Sequence, residues 1–208
     1  MTTVAAFVVA ADADAWRRAG FAVDGDGLMR LGGIQLRLIG AAPQAIGIET
    51  WELADAPDPG VALIDGLRTT HGDPPDDTRL PAVHPNGTIG IDHVVIYTPD
   101  LETTCAAITA ATGAPLKRIR EVGALRQGFH RLGELIVEVV TYPEIAVHQA
   151  TFWGLALNVG DIDAMFASLG AEVMSPPKDA VQPGRRISSF RDTAGLGVPV
   201  AVMTTHGR

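Results

Sequence analysis

"IDHVVIYTPDLETTCAAITAATGA", residues 91–114, decides the fold. An apolar strand, VVIY, begins directly after Asp92 and His93 and stops at a Pro-Asp pair. The Asp100 carboxylate can accept hydrogen bonds from the free N–H groups of a first helical turn, so a helix opens there. Leu101, Cys105, Ile108 and Ala111 then fall at helical spacing, and Gly113 stands where a left-handed residue ends a helix. Cys105 lies on that stripe and reads as core. The open question is why an apolar strand starts on an acid and a histidine.

The same grammar occurs twice more. "AAFVVAADADAWRRAGFAV" (5–23) and "FWGLALNVGDIDAMFASLGAEV" (152–173) also run strand, Asp, short helix, glycine, strand, with Asp12 and Asp161 opening the helices. Short strands follow each helix. In the middle copy they are expected over 116–122, 126–133 and 134–142, and in the last over 171–175, 185–192 and 197–205. The first copy is expected to fit three strands into 21–40. Gly-rich turns between short strands favour antiparallel pairing. The unit is therefore β-α-β-β-β, present two or three times. "AIGIETWEL" (45–53) echoes "TIGIDHVVI" (88–96), with no helix after it. Residues 55–87 carry prolines at 57, 59, 74, 75, 81 and 85 and predict a connection of little regular structure. The expected organisation is a shortened module over 1–54, a Pro-rich linker or loop over 55–87, and modules over 88–146 and 147–208.

Composition sets the class. The chain has 208 residues, 47% apolar and 19% charged, which is a folded globular composition and not a disordered one. A net charge of −8 without any basic run argues against nucleic acid or an anionic membrane as partner. No stretch approaches the roughly 20 apolar residues of a membrane span. The N-terminus lacks a basic start and soon reaches Asp12 and Asp14, so no signal peptide is expected and the expected location is cytoplasmic. A single cysteine excludes an internal disulfide and a Cys-rich metal site.

A strand opening on a histidine, then Asp and a helix, in a repeated β-α-β-β-β rhythm, resembles the vicinal oxygen chelate superfamily, which includes glyoxalase I, extradiol dioxygenases and bleomycin-resistance proteins. The resemblance is strongest over 88–205, and residues 1–54 look like a further, shortened module. It implies an α+β fold in which modules pair into a curved, mixed or antiparallel half-barrel cup. It also implies one divalent metal (Zn, Fe, Mn or Ni), a small-molecule ligand and a homodimer. The metal would be held by a His or Gln on each first strand and a donor near each last strand.

Carried onto this sequence, the histidine is His93 and the carboxylate is Glu138, the latter serving as ligand and base together. Strand alternation agrees: 93, 95 and 97 share one face, and 134, 136, 138 and 140 share another. The last module departs from the pattern, with Gly154 opposite His93 and no carboxylate in "GLGVPVAVMTT". In the first copy Ala5 and Arg37 stand at those positions. A third donor would have to come from elsewhere, from His130, His71 or His148.

Ligand-lining candidates are Tyr97, Phe129 and Trp153, which can stack on a flat ligand, and Arg126, which can hold a carboxylate or phenolate. Arg185 and Arg186 read as a solvated hairpin edge. "RTTHGDPPDD" (68–77) makes no recognisable nucleophile arrangement, and "DGDGLMRLGG" lacks a phosphate-binding spacing. Two functions remain open. One is a glyoxalase-like small-molecule-binding protein with an altered or incomplete metal site, holding one divalent metal or none. The alternative is a metal-dependent lyase, isomerase or dioxygenase.

Overall fold

A computed structural model describes residues 1–41, 47–74 and 82–205. The first part of the chain forms β1 (Thr3–Ala10), α1 (Ala13–Arg18), β2 (Leu28–Leu31), β3 (Ile34–Leu38), β4 (Gly47–Ala54), β5 (Leu63–Ile64) and β6 (Leu67–His71). These strands make a six-stranded sheet in the order β2-β3-β1-β4-β6-β5. The second part forms β7 (Thr88–Tyr97), α2 (Leu101–Thr112), β8 (Arg118–Val122), β9 (Leu125–Leu132) and β10 (Leu135–Thr141). It continues with β11 (Thr151–Val159), α3 (Ile162–Leu169), β12 (Lys178–Asp179), β13 (Arg186–Ser189) and β14 (Val200–Thr204). Its eight-stranded sheet runs β12-β13-β14-β11-β7-β10-β9-β8.

The helix signals act as the sequence suggests. Asp12, Asp100 and Asp161 each accept a first-turn N–H at 2.9 Å. Gly113 closes α2 at φ 70°, a conformation that costs other L-residues energy. In the larger sheet two modules meet through their first strands, β7 antiparallel to β11. Each module's last strand lies parallel beside its first, β10 on β7 and β14 on β11. The smaller sheet repeats this plan: β1 and β4 are antiparallel, β3 is parallel to β1, and β6 is parallel to β4.

The segment 55–87 is therefore more than the expected linker. It carries β5 and β6, the end of a second shortened module begun at β4, although 75–81 lie outside the described residues. Pro57 and Pro59 stand where a helix would begin, and a proline inside a helix removes a hydrogen bond and clashes with the preceding turn. Asp65 and Gly66, at φ 47° and 99°, turn the β5–β6 hairpin as an Asp-Gly pair does. Two smaller expectations also fail. Phe21–Val23 is not a strand; Phe21 instead packs 4.9 Å from the Trp16 ring. Residues 171–175 contribute only the isolated bridge of Met174 to Phe190.

Both sheets share one buried core. The Phe152 ring of β11 stands edge-on to Phe7 at 6.1 Å and to Trp51 at 5.4 Å. The buried Trp16 indole donates to the Leu196 carbonyl at 3.0 Å, tying α1 to the last module. On the far side, α2 lies so close to β9 that a Cβ at Gly128 would come within 2.7 Å of the Cys105 Sγ. Gly128→Ala is expected to destabilise the fold by about 1–3 kcal/mol through overpacking. Urea denaturation checks this, and adding Cys105→Ala should recover part of the loss. Among the described residues, no helix is long and apolar enough to cross a membrane.

Candidate functional site

Alternation on three neighbouring strands separates the helix-covered face from the open one. Val94 and Ile96 of β7 and Val137 and Val139 of β10 are buried on the side of α2. His93, Val95 and Tyr97, with Ile136 and Glu138, are half-buried on the other face. Gln127 and Phe129 of β9 join them there. This open face walls a cavity of about 650 Å³, lined by His93, Glu138, Gln127, Phe129, Arg118, Arg120 and the 178–183 segment, with Ile187 and Met203.

At its centre, His93 Nε2 stands 3.4 Å from Glu138 Oε2, and Gln127 Nε2 donates to the other Glu138 oxygen. The opposite ring nitrogen, Nδ1, lies 2.8 Å from Asp92 Oδ1. Asp92 Oδ2 in turn accepts from Arg185 at 2.8 Å. Arg185 is only 3% exposed, and it also donates to Asn158 Oδ1 at 2.8 Å and to the Thr204 carbonyl at 2.6 Å. Burial alone would raise the Asp92 carboxyl, but hydrogen bonds from His93 and Arg185 outweigh it and bring it down to about 2. An ionised Asp92 can only accept, so Nδ1 of His93 carries a proton and Nε2 is the atom presented toward Glu138. The relay runs across both modules: Arg185, Asn158 and Thr204 belong to the second, Asp92, His93 and Glu138 to the first.

The other expected residues divide. Phe129 lines the cavity, with the Arg118 guanidinium 4.8 Å from its ring centroid. Tyr97 stacks on Trp153 at 5.1 Å with 21° between rings, making an aromatic shelf along the open face. Trp153 is 43% exposed and sits where the β7–β11 register slips between Phe152 and Gly154. Burial, with the nearby Glu138 charge, raises the Tyr97 phenol and keeps it a proton donor.

Two expectations are corrected. His130 is buried on the α2 side with Nδ1 3.1 Å from the Ala114 carbonyl, and burial lowers its pKa, so it is a neutral core histidine and not a third donor. Arg126 shares that side; it holds Glu102 at 2.6 Å and Glu121 at 2.9 Å rather than a ligand. His71 is tied at 2.8 Å to the Val61 carbonyl in the other sheet, and neither it nor His148 lines the cavity. Arg185, read as a solvated edge, is instead the buried anchor of the relay.

Catalytic metal sites such as those of zinc generally use three protein donors. Among the described residues, no three His, Cys, Asp or Glu side chains converge to hold one. Asp92 lies behind the imidazole, on the wrong side to join Glu138. Helix caps Asp100 and Asp161 align β7 with β11 and set Gly154 in the place of His93. Glu138 pairs with Val95, and the matching partner of Ala156 is Ala201. Gly154 cannot be refitted either, because a Cβ there would lie 2.5 Å from the Pro199 carbonyl oxygen. Three cations, Arg118, Arg120 and Lys178, border the same cavity. The donor set does not fit a resident divalent metal. Gly154→His is expected to destabilise the chain by about 1–3 kcal/mol and to create no metal site, checked by thermal melting with and without added Ni or Zn.

No family model and no curated protein matches the chain. Solved structures do match its fold. A substituted variant of 4-hydroxymandelate synthase from Streptomyces coelicolor aligns over 99% of this chain and 93% of its own, at 16% identity and TM-score 0.65. Methylmalonyl-CoA epimerase from Mycobacterium tuberculosis aligns over 61% of this chain and 94% of its own, at 15% identity and TM-score 0.51. Both are vicinal oxygen chelate proteins. The chain thus has the glyoxalase-like fold of that superfamily, an α+β assembly of modules around curved sheets.

Proposed function

We propose that this chain binds a small molecule in the cup of its eight-stranded sheet, without a resident metal. The observation that carries this reading is the inequality of the two halves. The first module presents His93 and Glu138, whereas the second presents Gly154 and Ala201 at the matching positions and lends Arg185 as a support. The cavity volume, about 650 Å³, suits a small-molecule ligand. A second reading, a metal-dependent lyase, isomerase or dioxygenase, is favoured by the 3.4 Å approach of His93 to Glu138 and by the fold shared with an epimerase and a synthase.

Metal content of protein purified without chelator separates the two. The expected result is substoichiometric metal, with melting unchanged by added Mn, Fe, Ni or Zn. Near-stoichiometric metal that is lost in both His93→Ala and Glu138→Gln would overturn the proposal in favour of the enzyme.

A further inference from the structure

We infer that the cup's occupant is a small organic anion with a hydrogen-bonding group at its other end. The inference rests on the proposed reading of the cup as a binding site and names what that site selects. Sheet register sets the layout. Glu138 pairs with Phe129, and Phe129 pairs with Arg118, so acid, aromatic ring and guanidinium stand in one row across three strands. In the next row Gln127 pairs with Arg120. With roughly 4.8 Å between strands, Arg118 is rooted about 10 Å from Glu138. Directly paired residues share a face, so both arginines stand over the open side of the sheet.

Among the described residues, these cations have no carboxylate partner inside the protein. Arg126, Arg131, Arg185 and Arg186 of the same sheet region each hold a carboxylate. Among the described residues, Arg118, Arg120 and Lys178 have none, although the chain as a whole carries a net charge of −8. Three cations and two carboxylates, Glu138 and Asp179, border the cavity. Glu138 is already met by Gln127 and His93. A ligand's negative group is repelled from that end and drawn to the arginine end, where two guanidinium groups offer forked donors to a carboxylate, sulfonate or phosphate. Its body lies along Phe129, with Ile187 and Met203 on the facing module. A hydroxyl or N–H at the far end donates to Glu138.

The test uses the full chain and rigid probes of matching length: a hydroxynaphthoate with its two groups at opposite ends, its neutral methyl ester, and the corresponding sulfonate and phosphate ester. Binding is followed by Trp fluorescence and calorimetry. The acid is expected to bind at least about tenfold more tightly than the ester and to weaken with salt. Arg118→Ala with Arg120→Gln should remove that preference and its salt dependence, bringing acid and ester to equal affinity. Arg118→Lys should retain part of it if the double variant proves unstable. The ranking among carboxylate, sulfonate and phosphate names the anion. Equal binding of acid and ester, or no binding by any anion, overturns the inference. The first of these leaves the binding-cup reading standing, whereas stoichiometric metal in the parent overturns that reading separately.

Discussion

Arg185→Met is expected to destabilise the chain by about 3–5 kcal/mol in urea denaturation near neutral pH, because it strips the partner from a charge that cannot reach water. Arg185 is 3% exposed and Asp92 scarcely more open. Removing the guanidinium leaves Asp92 with His93 alone, and orphans Asn158 Oδ1 and the Thr204 carbonyl. Asp92→Asn is expected to be similarly harmful, since it leaves the cation buried. The double variant Arg185→Met/Asp92→Leu should recover most of the loss, because both charges go together. A sum of the two single effects in the double variant would refute the pairing.

The pH dependence has a definite sign. The Asp92 carboxyl is lowered from 3.8 to about 2 in the fold, so its stabilising contribution is complete above about pH 4 and disappears as pH falls toward 2. In Arg185→Met the stability curve should be flatter across that window. The variant should also loosen His93, which a shift in its imidazole NMR signals would report.

Trp51→Ala is the second large effect, about 3–5 kcal/mol. The indole is completely buried, donates to Thr69 Oγ1 at 2.7 Å, and meets Phe152 of the other sheet edge-on. Its loss opens a cavity between the sheets and leaves the Thr69 hydroxyl without its indole donor. Because both sheets draw on one core, a single cooperative transition shifted to lower urea is expected by fluorescence and near-UV circular dichroism. Two separated transitions would show that the sheets unfold independently. Trp51→Phe, which keeps most of the volume, should cost less.

How much of this was legible in the sequence depended on whether a signal was local. The pairs β7–α2 and β11–α3 were readable because Asp caps, apolar stripes and closing glycines all lie within one short segment. Alternation put His93 and Glu138 forward as sharing one face, and the structure lines one cavity with both and with Phe129. Alternation also placed Arg126 and His130 on one common face, but could not say that α2 covers it. That depends on Gly128, whose missing side chain admits Cys105, a contact between residues far apart in sequence. The second shortened module escaped because its helix is absent, although "IDGL" (64–67) held an Asp-Gly hairpin signal. Arg185 could not be recognised at all from its surroundings. Gly184-Arg185-Arg186 looks like any solvated turn, and only the distant Asp92 and Asn158 make burial of the first arginine tolerable.

The contact of Gly154 with Pro199 works as a fitted joint. With no side chain at that strand position, the neighbouring backbone occupies the space a Cβ would need, its Pro199 carbonyl oxygen 2.5 Å from where that atom would stand. Any larger side chain placed there, a metal-binding one included, meets that wall. A symmetrical cup would require the Pro199 backbone to move as well as the residue to change. The second half therefore serves the cup without that strand position: Arg185 stands behind Asp92 and His93, and Lys178, Ile187 and Met203 form part of the wall.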